Sequence, residues 1–361
     1  MKGTDVVVSL FTDPVWSGLF GDEEVESAFS LEATLQHYLA YEVALTNALS
    51  EHALISADAK EAVLKGCEGF EPDLAGLKAG VAKDGLPIPA FIAQLRARIG
   101  EPHASACHKT STSQDVMDTA LALALKQVSQ VLTTRLAAVI DALETLKSAN
   151  ADHTLMGRTR MQAALPITAG DRIATWIAPL ERYQQKLEDA AKQVSVLQYG
   201  GPVGTSATQG EHAEVIASQM AVELDLGVPT QSWHTQRDDL VDYANVLSMI
   251  SGSLGKLGAD VTLMAQQGVG EIKLTGGGSS SAMAHKHNPI NAELLVTLAR
   301  YNSTQVSAMH SALVHEQERS GVAWALEWMI LPGMCMATGA GLQSALKLLQ
   351  QTEWIGAPLS D

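Results

Sequence analysis

Aromatic residues are scarce in this chain. Phe, Trp and Tyr make up 5% of it, which argues against a sheet-built core, because strands draw on aromatic and β-branched side chains. Ala and Leu are abundant and favour helix. Cysteine is also rare. Cys67, Cys107 and Cys335 are scattered without metal-ligand spacing, so neither a disulfide framework nor a zinc site is expected, and they read as reduced residues of a cytoplasmic protein. Cys107 stands beside His108 and could be read as a nucleophile with its base. Sequence neighbours on a regular element point apart, however, and a structural thiol is the expectation. Positive charge is in deficit, with 24 Lys and Arg against 40 Asp and Glu, net -16. Such a surface repels nucleic acid and anionic membranes, so neither is an expected partner. It repels anionic substrates too, so a site for an anion must concentrate cations locally. No run of about 18 apolar residues is evident, which argues against a membrane span. Met1 to Pro14 lacks the apolar stretch of a signal peptide.

Hydrophobic residues nevertheless form 46% of the 361, enough for a large core. From Thr112 to Met156 there is neither Gly nor Pro. Apolar residues recur at Met117, Leu121, Leu125, Val128, Leu132, Leu136, Val139, Leu143 and Leu146, a mean spacing of about 3.6, the α-helical period. So long a helix needs a long bundle or a partner chain to cover its stripe. Further helices are expected over about 167–197 with Pro179 inside, 206–226, 238–267 with Gly252, Gly255 and Gly258 for close contact, 289–314 and 322–350. The stretch before residue 110 has shorter helices, such as Leu31 to His52 after the possible N-cap Ser30. The expected organisation is an all-α chain, with a small N-terminal helical domain over 1–110 and an elongated long-helix bundle over 111–361.

Polar islands interrupt this apolar pattern. One is Gly276-Gly277-Gly278-Ser279-Ser280-Ser281, followed by His285-Lys286-His287-Asn288-Pro289. It reads either as a Gly-hinged catalytic loop beside a cation at a helix start or as a plain linker. His108 to Asp115, ahead of the longest helix, offers hydroxyls and first-turn amides for a carboxylate, or simply caps that helix. Gly157-Arg158-Thr159-Arg160-Met161-Gln162 is a polar junction between two long helices. Trp233-His234-Thr235-Gln236-Arg237-Asp238 is a further island, its histidine catalytic or structural.

Together these islands resemble the fumarase/aspartase superfamily. The loop is similar to its G-S-S-x-M-P-x-K-x-N signature, Thr112-Ser113-Gln114-Asp115 to T-S-x-D, and Gly157-Arg158-Thr159 with Gln162 to G-R-T-x-x-Q. Gly200 to Thr205 resembles the glycine-rich turn that follows. Trp233 to Asp238, the His315 to Gly321 stretch with Trp324, Glu327 and Trp328, and Leu19-Phe20-Gly21-Asp22 resemble the carboxymuconate cycloisomerase branch. Two signature positions differ: Ser279 stands for Gly and Ala284 for Pro. Family members usually continue about a hundred residues further, so the C-terminal domain is expected to be largely absent. Where amine-eliminating lyases carry an acid–base His after G-R-T, this chain has Arg160, an extra cation suited to three carboxylates.

The resemblance implies an enzyme that adds a carboxylate of 3-carboxy-cis,cis-muconate to a double bond of the same molecule and protonates an aci-carboxylate intermediate. It implies Ser280 as the proton-transferring hydroxyl, with Lys286 and His108 beside it in catalysis. Thr112, Ser113, Gln114, Arg158, Thr159, Arg160, Gln162, His234, Arg237, Asn288 and Arg319 are the implied polycarboxylate-binding set. It implies no cofactor and no metal, and a homotetramer with sites shared between subunits. The competing readings are an amine-eliminating adenylosuccinate-type lyase, a sulfomuconate cycloisomerase and a non-catalytic oligomeric scaffold.

Overall fold

Polar caps open the helices where the sequence offers them. In the computed structural model, which describes residues 9–207, 210–279, 283 and 287–357, two short helices, α1 (Ser17–Phe20) and α2 (Glu23–Ala28), lead to α3 (Leu31–Glu51). The Ser30 hydroxyl accepts from the Ala33 amide and fixes the start of α3. Next come α4 (Ala57–Cys67), α5 (Leu74–Asp84) and α6 (Ile88–Ile99). The long helix α7 (Ser113–Asn150) holds 38 residues, about 57 Å at 1.5 Å per residue. Its periodic stripe is the seam of the molecule, with Leu125, Val128, Leu132, Leu136, Val139 and Leu143 all fully buried.

The expected helical junction after α7 is a β-hairpin instead. Strand β1 (Thr154–Thr159) pairs antiparallel with β2 (Gln162–Thr168). The two turn residues, Arg160 and Met161, both have positive φ, 48° and 68°. That is the backbone of a type I′ hairpin turn, built without the Asn-Gly that usually announces it. Helix α8 (Ala169–Val194) then opens on a reciprocal Thr168–Asp171 capping box and carries Pro179 inside it.

Helix α9 (Ala213–Glu223) is shorter than expected. Helix α10 (Asp238–Met264) packs against α8. A Cβ on Gly255 would lie 2.5 Å from the Ala299 methyl, and one on Gly258 would lie 2.4 Å from the Ala292 carbonyl oxygen. These two glycines therefore let α10 press against α11 (Ile290–Ser311); Gly252 faces open space. Between them lie β3 (Ile272–Leu274), β4 (Gly278–Ser279) and β5 (His287–Asn288), with β4 pairing β5. Helix α12 (Gly321–Gln351) closes the bundle, and β6 (Thr352–Ile355) pairs with β3. By length and composition alone α12 could cross a membrane, but 67% of that window is buried inside the protein. This is how a core helix behaves.

The fold is all-α, with three short two-stranded ladders among the described residues. One apolar core follows the long helices. A second packs Tyr41, Leu45, Phe91 and Leu95 against Val116, Ala120, Tyr199, Ile216 and Met220. The packing of the N-terminal helices therefore continues past residue 110 into the start of α7 and into α9.

Candidate active site

The polar islands fall at opposite ends of the bundle. The segment His108–Gln114 sits at the start of α7. His234 and Arg237 at the start of α10 and Arg319 before α12 join it there. The hairpin carrying Arg158, Thr159, Arg160 and Gln162 follows the far end of α7. Arg158 meets Glu271 just ahead of β3, and Asn288 lies on β5 next to α11 at that same far end. One chain therefore separates its two sets of islands by about the length of α7, roughly 55 Å.

At the first end a buried carboxylate organises the backbone. Asp115 is fully buried. It accepts from the amides of Gly200 (2.8 Å) and Gly201 (3.0 Å), from the Thr112 amide (3.1 Å) and from His234 Nε2 (2.8 Å). It thus pins the glycine-rich turn to the helix start and holds its charge near the α7 amides. His234 Nε2 faces Asp115, while its Nδ1 is buried without a partner among the described residues. The imidazole faces inward, away from any open surface.

Arg237 is turned inward as well. Its guanidinium is fully buried and meets Asp118 (2.7 and 3.1 Å), Glu327 (2.9 and 2.5 Å) and the Trp233 carbonyl (3.4 Å). All five N–H donors are engaged within the chain, leaving none for a substrate carboxylate. Burial alone would favour the neutral form, but the two carboxylates hold it charged, its pKa raised above the ordinary arginine value. Arg319 is different. Nε donates to Gln114 Oε1 (2.9 Å), and Nη2 donates to Thr112 Oγ1 (3.2 Å) and the Pro202 carbonyl (3.1 Å). Nη1, on an exposed side chain, has no hydrogen-bond partner among the described residues. The residue is aimed by its neighbours and still able to bind an anion.

His108 is held by a residue the sequence reading did not single out. Glu42, buried on α3, accepts from His108 Nδ1 at 2.6 Å and from the His108 amide at 2.9 Å. That fixes the tautomer and leaves Nε2 with no hydrogen-bond partner among the described residues, the arrangement a general acid or base requires. His108 and Thr110 both have positive φ, 60° and 65°. For a β-branched threonine this is a strained backbone, of the kind concentrated at functional sites. Tyr41 supports the same wall, with its hydroxyl 2.7 Å from Ser111 Oγ; burial and then the Asp115 charge raise its pKa well above the usual tyrosine range. Cys107 also lies on Glu42, at 3.8 Å. Burial first and then Glu42 push its thiol far up, so no thiolate nucleophile stands beside His108.

At the far end the groups are more open. Both Glu271 carboxylate oxygens lie within 2.7 Å of Arg158 Nη1. Arg160, Thr159 and Gln162 are exposed on the hairpin. Asn288 is half-buried, opposite Gly278 in the ladder that joins the two ends of the Gly/Ser loop. Gly276 and Gly277, with φ of 88° and 134°, take conformations other residues rarely adopt. Ser280 and Lys286 lie outside the described residues. Among the described residues, no three His, Cys, Asp or Glu side chains are grouped to hold a metal ion.

A family model described as "Lyase" matches residues 23–303. The chain belongs to this lyase family, within the fumarase/aspartase superfamily. Among the lyases it resembles is the 3-carboxy-cis,cis-muconate cycloisomerase of Pseudomonas aeruginosa. The two are 36% identical over 335 residues, covering 91% of this chain and 73% of that protein. The Pseudomonas putida protein of the same name is 33% identical, covering 95% and 82%. Solved structures agree. The 3-carboxy-cis,cis-muconate lactonizing enzyme of Pseudomonas putida superposes with a TM-score of 0.87 at 33% identity, covering 94% of this chain and 77% of that one. The fumarate lyase of Mesorhizobium sp. BNC1 gives 0.85 at 31%, covering 93% and 76%.

Proposed function

We propose that this chain is a cytoplasmic, cofactor-independent cycloisomerase that converts 3-carboxy-cis,cis-muconate to a carboxymuconolactone. The carrying observation is the end of the bundle where α7 begins. There, in a chain of net charge -16, the Arg319 guanidinium, the Thr112 and Ser113 hydroxyls and the first-turn amides of α7 make a ready carboxylate receptor. His108, oriented by Glu42, stands beside it.

The reaction needs one carboxylate to attack a double bond of the same molecule and a proton to reach the carbon next to another carboxylate. The costly species between these steps is an aci-carboxylate with two negative charges on one group. Fixed cations and donors aimed at that charge lower the barrier. Ser280 delivers the proton, and Lys286 and Asn288 hold the carboxylate that gathers charge. Thr112, Ser113 and Arg319 hold a second. Gln114, expected from the sequence to join them, is buried with both amide N–H groups spent on Asp118 and the His234 carbonyl, and its Oε1 aims Arg319. Asp115, His234, Asp118, Arg237 and Glu327 act behind them by holding helix starts and turn in register.

Two sets of groups roughly 55 Å apart in one chain cannot close on one small molecule. We therefore propose a homotetramer in which the α7 start of one copy meets the hairpin and Gly/Ser loop of others. Exposed Met161 and Leu165 on the hairpin, 71% and 73% accessible, and Met249, Leu263 and Met329 on long helices are apolar surface for such neighbours to cover. Mixing the protein with 3-carboxymuconate and following ultraviolet absorbance tests the activity. Loss of the conjugated diene without fumarate release is expected. An unchanged diene, or fumarate released from an amino-succinyl substrate, would replace this reading with a scaffold or an amine-eliminating lyase.

A further inference from the structure

Resting on the tricarboxylate reading above, we propose that the cavity beneath the β1–β2 turn is the subsite for the substrate's extra carboxylate, with Arg172 and Arg160 as its working cations. A cavity of about 380 Å³ is lined there by Arg158, Arg160, Arg172 and Lys256 together with Asp260 and Glu271. Four cations around one cavity stand out in a chain with 24 basic residues and 40 acidic ones.

The two carboxylates are already used. Glu271 lies against Arg158 at 2.6 and 2.7 Å. Asp260 is paired with Lys256 and accepts the Trp176 Nε1 proton at 2.8 Å. That leaves Arg160 and Arg172 with no side-chain hydrogen bond or ion pair among the described residues. Their guanidinium groups face one open volume, where an uncompensated pair of like charges is unfavourable unless an anion joins them.

The backbone points the same way. Arg160 takes φ of 48° and Met161 φ of 68°, a turn in which Asn-Gly would be relaxed. Holding two side-chain-bearing residues in this region costs on the order of 1 kcal/mol or more each. The turn thus keeps a guanidinium at a strained position over the cavity. Arg172, on the first turns of α8, is anchored by a capped helix and gives the subsite a rigid wall. A planar guanidinium fork matches a carboxylate's two oxygens. The cavity thus takes a carboxylate that stands apart from the two held elsewhere. It separates a tricarboxylate from a dicarboxylate.

Calorimetric titration of the assembled protein with tricarballylate and with succinate tests this. The wild type should bind tricarballylate more tightly than succinate. Arg172→Gln should weaken tricarballylate binding about tenfold or more and change succinate binding by less than about twofold. In turnover the same variant should raise KM for 3-carboxymuconate about tenfold, with kcat nearly unchanged. Arg172 makes no side-chain bond among the described residues, so an unchanged melting temperature is expected and separates this loss from unfolding. Equal weakening of both probes, no weakening of either, or no preference for tricarballylate in the wild type would overturn the subsite. Selective loss of tricarballylate binding in Arg172→Gln, beside a wild type that leaves the muconate diene untouched, would uphold the subsite and sink the proposed reaction.

Discussion

The two ends of the bundle are built to opposite rules. Where α7 begins, the central charges are buried and paired, with Asp115 accepting from Thr112, Gly200, Gly201 and His234 and Arg237 spending every N–H inside the chain. Where α7 ends, the hairpin carries exposed side chains and strained turn residues, and Arg160 there and Arg172 on α8 have no side-chain partner among the described residues. The contrast separates two tasks. One end is preorganised, its geometry fixed by contacts within the chain. On the proposed reading, the other offers cations whose partners come from outside the chain.

That contrast can be broken first at the paired end. Arg237→Ala leaves Asp118 and Glu327 buried without their cation, and should cost about 3–5 kcal/mol. Urea denaturation would show it as a large fall in midpoint. A fall no larger than that of a surface variant would mean the network is not structural. At the open end, Ser280→Ala should lower kcat about a hundredfold or more with stability intact. Near-normal turnover would remove Ser280 from the chemistry.

The sequence made the long helices legible because burial repeats at the helical period: six of the nine stripe positions in α7 are wholly inside. It hid the hairpin. Residues 155–158 and 160–166 contain no β-branched side chain, and the turn is Arg-Met, so neither strand nor turn chemistry announced itself. Arg237 read as an anion binder because charged residues are usually at the surface. Only three-dimensional neighbours reveal that Asp118 and Glu327 absorb it. Glu42 was invisible for the same reason. It sits in an ordinary helical stretch 66 residues before His108, and nothing local marks the pair. The polar islands themselves were legible as residues, but their division between two ends follows from the helix that separates them.

Smaller effects sharpen the comparison. Glu42→Gln should reduce kcat about tenfold to a hundredfold with little change in KM, because His108 loses the carboxylate that fixes its tautomer. A change confined to KM would make His108 a binding group only. The smallest effect is on alkaline stability. Burial first and the Glu42 charge next push the Cys67 thiol from its ordinary 9.0 up to about 12. Below pH 9.0 both folded and unfolded chains keep that proton. Above it the unfolded chain releases the proton and the folded chain does not, so stability is present below pH 9 and falls as pH rises toward 12. The urea midpoint should therefore drop between pH 8 and 10 less steeply in Cys67→Ala than in the wild type. Identical slopes would show that this thiol does not contribute.

The central claim is that one working site joins the α7 start of one copy to the loop of another. Mixing Arg319→Ala with Ser280→Ala, each nearly inactive alone, and allowing subunits to exchange tests it directly. Random exchange should restore about a quarter of wild-type activity, because that share of sites draws an intact end from each parent. Activity no greater than the sum of the two separate variants, with hybrid tetramers verified by mass, would contradict the account.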